Sequence, residues 1–172
     1  KRANLNIVVL DKPSLQKVSV LNIEYGNNSI DQNEYLKHDF DAEALVNYQD
    51  GLLLFSKSWL TNNLHIYSVS KTQTQQTLKP VTTVESLPGV VTGGAYNAIN
   101  NQFVLVGYKL RSLGFFTPFI AILNTDFSVV AQYPLPGFSQ VEGVCVSPAG
   151  NIWISQEKTM FSGPKLAHIS IQ

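Results

Sequence analysis

Hydrophobic residues along this chain fall in short runs, and the spacing that marks an amphipathic helix is nearly absent. Valine, isoleucine and aromatic residues dominate these runs, while glycine, proline, asparagine and aspartate separate them. About thirteen runs have the length and composition of β-strands, and the clearest are NLNIVVLD, GLLLFSK, QFVLVGYK, PFIAILN and NIWISQE. The pattern therefore predicts an all-β fold.

Three segments of the sequence resemble one another and predict a repeated unit. They start at Asp41, Thr92 and Gln140. Each opens with a strand rich in small residues and continues through a polar turn into a strongly apolar second strand and then a third. Two of them also carry a fourth strand, near 78–85 and 128–135. Four antiparallel strands recurring about every 50 residues are typical of β-propeller blades, whereas a β-sandwich, the alternative, requires no such repeat.

The repeats predict a single propeller-like domain or fragment with an incomplete ring of about three blades. Its units are expected at about 1–37 (partial), 38–88, 89–138 and 139–172 (partial). The first pair of strands has no opening partners, and position 1 is Lys rather than Met. Because propellers close with about four to eight blades, we expect the missing strands to come from one of three sources. These are a lost N-terminal half, a second copy of the chain, or residues 4–11 pairing with the last unit.

Charge and composition narrow the classes of partner and the location. The 172 residues include 12 basic and 12 acidic side chains, with no basic stripe that would attract nucleic acid. No apolar run is long enough to form a membrane-spanning helix. Low charge with abundant serine, threonine, asparagine and glutamine is typical of periplasmic, cell-surface or secreted β proteins, so we expect an extracytoplasmic location.

The cysteine and tryptophan residues offer little chemistry. Cys145 is the only cysteine, which excludes an intrachain disulfide and a cysteine-based zinc cluster. Its place in the apolar run GVCVS predicts a buried, inert thiol. Trp59 and Trp153 lie at or beside apolar strands and are expected in the core.

Acidic residues at the openings of two repeats are candidate metal ligands. Asp39, Asp41 and Glu43 alternate ahead of an apolar run, so an extended chain places all three on one face. Glu142 occupies a similar position in the last repeat. Carboxylate oxygens are the ligands that Ca²⁺ prefers, but these acids could equally accept hydrogen bonds from backbone N–H groups and fix the strand ends. The sequence lacks the D-x-D-x-D-G calcium loop, so both interpretations remain open.

The ends of the second strands form a candidate ligand pocket. Lys57, Tyr108 and Glu157 fall at equivalent positions there. If those ends share one surface, a cation, a phenol and a carboxylate would line one opening, as in a small-ligand pocket. The alternative is three unrelated surface residues.

A second binding candidate is the long loop KLRSLGFFTPF, residues 109–119. It combines Arg111 with Phe115 and Phe116. Exposed aromatic residues beside an arginine suit contact with a glycan or a protein. The alternative is that the aromatic side chains pack between blades.

Two stretches, EGVCVSPAGNIWISQE and DAEALVNYQDGLLLFSK, resemble the blade signature of a broad group of propellers. The group includes phytase-like esterases, NHL-type repeats and gluconolactonase-like propellers, together with uncharacterised proteins of the bacterial envelope. The resemblance implies a propeller fold, and in the enzymes of this group acids at the opening strands hold calcium or another divalent ion. Position by position, Asp41 and Glu43 match Gln140 and Glu142, and the middle repeat has Thr92 and Gly93 there.

Two functions follow from these observations. The first is a non-catalytic binding or scaffolding propeller of the bacterial envelope or secreted fraction, whose partner is a protein, a glycan or a small molecule. The second is a divalent-metal-dependent hydrolase of the phytase-like esterase or lactonase type. In that enzyme Asp41, Glu43 and Glu142 would hold a cation that polarises an ester or phosphoryl oxygen.

Overall fold

The computed structural model describes residues 5–26, 36–111 and 115–171. These residues contain strands and turns and no helix, which confirms the all-β prediction. The strands are β1 (Leu5–Leu10), β2 (Lys17–Tyr25), β3 (Asp41–Tyr48), β4 (Gly51–Lys57), β5 (Leu64–Ser70), β6 (Gln75–Leu78), β7 (Pro80–Val84), β8 (Val90–Asn97), β9 (Gln102–Leu110), β10 (Phe116–Asn124), β11 (Val129–Pro134), β12 (Val141–Val146), β13 (Ile152–Gln156) and β14 (Lys165–Ile169).

The strands form four sheets that we number along the chain. Sheet 1 has the order β1-β2-β6, sheet 2 β3-β4-β5-β7, sheet 3 β11-β10-β9-β8 and sheet 4 β12-β13-β14. Sheets 2, 3 and 4 are antiparallel throughout. Their opening strands β3, β8 and β12 lie side by side. Antiparallel four-stranded sheets that meet along their opening strands are propeller blades. The described residues therefore form an open ring of propeller blades, as the repeat predicts.

Two details of strand pairing differ from the expectations. Residues Leu5–Leu10 pair with β2, so the prediction that residues 4–11 complete the last sheet is wrong. The predicted fourth strand near 78–85 is present as Pro80–Val84, which pairs with β5 in sheet 2. A strand that the sequence did not predict, Gln75–Leu78, precedes it and runs parallel to β2 in sheet 1. This pairing ties sheet 1 to sheet 2 by backbone hydrogen bonds.

Apolar side chains fill the spaces between neighbouring sheets. One cluster between sheets 2 and 3 is built around Phe55 and Phe103, and a second between sheets 3 and 4 around Val106 and Ile154. A third cluster between sheets 1 and 2 contains Leu21, Ile23, Leu54, Tyr67, Val69 and Leu78. Sheets 2 and 3 therefore bury both faces, which explains why their second strands read as continuous apolar runs.

The last sheet is covered on one face alone, and this overturns two sequence predictions. Cys145 is exposed, and its neighbour across the strands, Trp153, is 40% exposed. Both alternate with Val144 and Ile154, which pack toward sheet 3. The prediction of a buried thiol and a core tryptophan at these positions is wrong because no described element covers this face of sheet 4. No helix in the described part of the chain has the length and apolar character needed to cross a membrane.

Candidate functional site

A β-bulge marks the same position in each opening strand. The pairing registers skip Glu43 in β3, Thr92 in β8 and Glu142 in β12. A bulge inserts an extra residue and redirects its side chain, so these three residues are structural equivalents. The sequence alignment, which matched Thr92 with Asp41, is therefore wrong by two positions. Val90 pairs with Tyr108 in sheet 3, and Asp41 pairs with Lys57 in sheet 2. The equivalent of Asp41 in the middle repeat is therefore Val90.

The second strands end together, and we call this end of the sheets the upper rim. Lys57 lies opposite Asp41 and Tyr108 opposite Val90, while the N–H of Glu157 donates to the carbonyl oxygen of Gln140 at 3.0 Å. The three residues that the sequence singled out are thus equivalent in register. The structure brings the side chains of Lys57 and Tyr108 together, whereas that of Glu157 is exposed.

Lys57 is the centre of a polar cluster that joins three sheets. Only 7% of the residue is exposed, and its Nζ lies 3.6 Å from Oε1 of Glu43. The same nitrogen lies 5.0 Å from the ring centroid of Trp59 and 5.3 Å from that of Tyr108, within the range of cation–π attraction. Tyr108 in turn lies close enough to Lys57 and Glu142 for both charges to influence the pKa of its phenol. We call Glu43, Lys57, Tyr108 and Glu142 the Lys57 network.

Burial and charge shift the pKa values within this network. Burial raises the pKa of Glu43, Lys57 opposes that shift, and the nearby carboxylates of Glu142 and Asp41 reinforce it. Burial also raises the pKa of the Tyr108 phenol. Desolvation acts to lower the pKa of Lys57, but Tyr108, Glu142 and Glu43 outweigh it, and the net shift is upward. Lys57 is therefore a charged ammonium that holds the acids of two sheets around it.

Two of the candidate metal ligands have structural partners. Asp39 accepts the backbone N–H groups of Leu60 at 2.8 Å and Thr61 at 3.2 Å, and the Thr61 hydroxyl donates to it at 2.7 Å. These bonds shape the loop after β4, which is the structural role that the sequence left open. Asp41 accepts a hydrogen bond from Nε1 of Trp59 at 2.9 Å and lies 3.8 Å from Nε2 of His38.

The acids of the opening strands do not converge as a metal site requires. Gln140 donates to Oε1 of Glu142 at 2.8 Å, and Glu43 faces the Lys57 ammonium. Among the described residues, no group of three or more histidine, cysteine, aspartate and glutamate side chains is arranged to hold a metal ion. Calcium binding by Asp39, Asp41, Glu43 and Glu142 stays a prediction.

Large apolar side chains are exposed along the upper rim of three consecutive sheets. The end of β9 and the loops after β4, β9 and β13 carry Leu60 (65% exposed), Leu110 (47%), Phe115 (51%), Met160 (89%) and Phe161 (71%). We call these five residues the apolar rim. The rings of Phe115 and Phe161 stack at 5.4 Å between centroids, across two sheets. Exposed apolar side chains that cluster in this way are typical of interaction sites.

The residues of the long loop 109–119 that the sequence predicted to bind a partner have different surroundings in the structure. Phe115 belongs to the apolar rim, whereas Phe116 packs edge-on against Tyr108 at 4.7 Å between centroids. Nε of Arg111 donates to the Thr117 hydroxyl at 3.0 Å. Residues 112–114 of this loop lie outside the described part of the chain. The Phe116–Tyr108 contact connects the apolar rim to the Lys57 network.

Sequence reasoning missed Met160 and Phe161. The signal was present, because KTMFSG places two large apolar residues in a polar loop that joins two strands. Their partner Phe115 lies in another repeat, so the stacking that makes them a common surface was not visible from local sequence.

Comparisons with known proteins place the chain by shape alone. No protein-family model matches the sequence, and no curated protein matches it. Among solved structures, the chain is similar to "Structure of Dos1 propeller", with a TM-score of 0.49 and 12% identity over 88% of this chain and 37% of that one. It is similar to "Hypothetical protein from leishmania major", with a TM-score of 0.48 and 10% identity over 86% and 48% of the two chains.

A third similar structure is "Crystal Structure of Mitotic Checkpoint Complex". Its TM-score is 0.36 with 12% identity, over 97% of this chain and 59% of that one. The chain spans less than two thirds of the length of each of these three proteins.

Proposed function

We propose that this propeller is a non-catalytic binding module that holds a protein partner on its upper rim. The observation that carries the proposal is the apolar rim, in which three consecutive sheets expose large apolar side chains in the same set of loops. Monomeric proteins rarely expose clustered apolar surface without a use for it, and binding is the most frequent one.

The chemistry of the rim favours a protein over a sugar or a small polar ligand. Leu60, Leu110 and Met160 are aliphatic, and phenylalanine, methionine and tyrosine are enriched at protein interfaces. The Lys57 network lies beside these residues and supplies polar groups that would orient a partner. An apolar surface around fixed polar groups is the usual anatomy of a protein interface.

The hydrolase predicted as the alternative receives less support from the geometry. Its mechanism requires Asp41, Glu43 and Glu142 to share one cation. The Lys57 ammonium already lies 3.6 Å from Glu43 and interacts with Glu142. A second positive charge at that position would be repelled by the first.

We extend the proposal to a location in the bacterial envelope or secreted fraction, which the low charge of the sequence supports.

The test is to compare binding by the native chain with binding by a rim variant, Phe115→Ser combined with Phe161→Ser. The probes are an array of short synthetic peptides and an array of glycans. We expect the native chain to bind a subset of the peptides, and the rim variant to bind them about tenfold more weakly or worse, as for central interface residues.

A matched control replaces two exposed apolar residues away from the rim, Leu15→Ser and Ile99→Ser, which lie in turns at the opposite end of the strands. The control variant should bind as the native chain does. Binding to glycans alone, or equal peptide binding by the native chain and the rim variant, would contradict the proposal.

A further inference from the structure

Neighbouring sheets of this chain pack against one another in one order. Each sheet turns what we call its forward face toward the next sheet along the chain, and its rear face toward the preceding one. Phe55 on the forward face of sheet 2 shares an apolar cluster with Leu105 of sheet 3. Val106 on the forward face of sheet 3 shares one with Ile154 of sheet 4. The first and last sheets of the series therefore each have one face without a neighbour in the described chain.

The forward face of sheet 4 resembles the buried forward faces of sheets 2 and 3. Trp153 is equivalent in register to Leu53 and Val104, because each lies four residues before the upper-rim position of its second strand. Leu53 is 7% exposed and Val104 1%, whereas Trp153 is 40% exposed. Cys145, directly opposite Trp153, and Leu166 on the same face are exposed as well. Sheet 4 therefore presents a face that another sheet covers elsewhere in the ring.

The rear face of sheet 1 is the complementary open face. Val8 and Leu10 alternate along β1 with Ile7 and Val9, which pack toward sheet 2, so Val8 and Leu10 lie on the rear face. Each of these two residues is 50% exposed. Val20 of β2 lies directly opposite Val8. In the rest of the ring, a rear face with such apolar side chains packs on the forward face of the preceding sheet.

Charged side chains are scarce on both open faces. On sheet 1, Lys17 and Glu24 lie at the two ends of β2, with Val20 between them. The strand residues on the forward face of sheet 4 include no aspartate, glutamate, lysine or arginine, and they are Gly143, Cys145, Trp153, Ser155, Leu166 and His168. Because burying an unpaired charge is costly, faces of this composition are suited to packing against another sheet.

We propose that a second copy of the chain closes the ring, with the forward face of sheet 4 in each copy packed on the rear face of sheet 1 in the other. One chain carries both faces that closure requires, which favours a second copy over the remaining source of the missing blades. Two copies of four sheets make eight sheets, and propellers close with about four to eight blades. The pair has twofold symmetry and contains the same contact twice.

The open faces lie apart from the upper rim, so this association is independent of the proposed function. The rim consists of strand ends and loops, whereas the faces consist of side chains along the strands. Closure would leave the rim accessible and the outer edge of β14 free. It would cover Cys145, the only cysteine of the chain, so the reactivity of this thiol reports on closure.

Sedimentation equilibrium of the native chain between about 1 and about 100 µM measures the association. We expect a particle of twice the chain mass at the upper end of this range. A water-soluble thiol reagent, applied over the same concentrations, should modify Cys145 more slowly as the single chain is depleted. The rate should fall in proportion to the fraction of single chains that sedimentation gives.

Two single variants locate the contact. Leu166→Glu on sheet 4 and Val8→Glu on sheet 1 each place a carboxylate in both contacts of the pair, so each should weaken association at least about tenfold. An equal mixture of the two variants should associate more tightly than either alone, because a mixed pair keeps one native contact. The matched control combines Val81→Glu with Val130→Glu, exposed residues of the outer strands β7 and β11, and should associate as the native chain does.

Several outcomes would refute closure by a second copy. One is a native chain that stays single up to about 100 µM. Another is association that one of the two variants weakens and the other leaves unchanged, because like faces would then be paired. Assemblies larger than a pair would also refute it, since a contact between unlike faces that does not close builds open filaments.

Discussion

Lys57 shows how one buried charge can organise the ends of three sheets. A lone ammonium that is 7% exposed would lose its hydration without compensation. Here the carboxylate of Glu43, the phenol of Tyr108 and the carboxylate of Glu142 surround it, and its pKa is raised despite burial. The sheets that supply these groups are thereby linked at the upper rim by charge as well as by apolar packing.

The raised pKa of Glu43 makes stability depend on pH. Because its pKa in the folded chain lies above the ordinary value of 4.5, the folded state holds this proton more tightly than the unfolded state. The resulting stabilisation is fully present below pH 4.5 and is lost as pH rises through the folded pKa. We therefore expect the native chain to lose stability relative to Glu43→Gln between acid and neutral pH.

Urea unfolding of both chains across that pH range measures this difference. The control is Asp50→Asn, which changes an exposed acid in the turn between β3 and β4. Its stability difference from the native chain should stay nearly constant with pH. A Glu43→Gln difference that is also flat would show that the Glu43 carboxyl is solvated like an ordinary surface acid.

At the scale of single elements, the close packing of β8 against β12 depends on the absence of a side chain at Gly93. A Cβ at Gly93 would lie 2.8 Å from the carbonyl oxygen of Glu142 and 3.2 Å from the Cα of Gly143. At the neighbouring position, Oγ1 of Thr92 donates to the carbonyl oxygen of Val141 at 2.6 Å. At its bulge, β8 therefore lies in close contact with the backbone of β12 in sheet 4.

We expect Gly93→Ala to lower the free energy of unfolding by about 2 kcal/mol, because backbone atoms must move to admit the methyl group. Gly163→Ala is the matched control, since a Cβ there meets nothing within 4 Å. That change should stay within about 0.5 kcal/mol of the native chain. Chemical denaturation of the three chains measures both values, and equal stability of all three would refute this account of the β8–β12 contact.

The elements were largely predictable from sequence because apolar runs, turn residues and the repeat period all indicate blades. The pairing of Gln75–Leu78 with β2 in sheet 1 was not predictable, since a parallel pairing between residues about 50 positions apart leaves no local signal. The bulges at Glu43, Thr92 and Glu142 were missed for a similar reason. They shift the register by one residue without changing the composition.

The candidate site was predictable in its members but not in its arrangement. The sequence paired Lys57 with Tyr108 because both end a second strand, and the structure brings them together. It named Glu43 and Glu142 as candidate metal ligands and left a structural role open, since nothing in the local sequence places the Lys57 ammonium beside Glu43. Cys145 and Trp153 were assigned to the core because an apolar strand does not show which of its faces lacks a neighbour.

The whole molecule is asymmetric in how its sheets are covered. Sheets 2 and 3 lie between neighbours, whereas sheets 1 and 4 each leave one face open in the described chain. Val8, Leu10 and Val18 are at least half exposed on sheet 1, and Leu166 is 69% exposed on sheet 4. Stability should therefore be highest in the middle of the ring and fall toward both ends.

Hydrogen exchange followed by mass spectrometry tests this gradient along the chain. Residues 103–108 of β9 are buried without interruption, whereas β1 and β14 alternate between partly buried and exposed residues. Opening β9 requires sheets on both sides to separate, while β14 pairs on one edge with β13 and its other edge is free in the described sheet. We expect the amides of β9 to exchange at least about a thousandfold more slowly than those of β14.

β4 is the internal control, because it is also covered on both faces and should exchange as slowly as β9. Equal protection of β14 and β9 would mean that sheet 4 is stabilised by contacts other than those described, and it would refute the gradient.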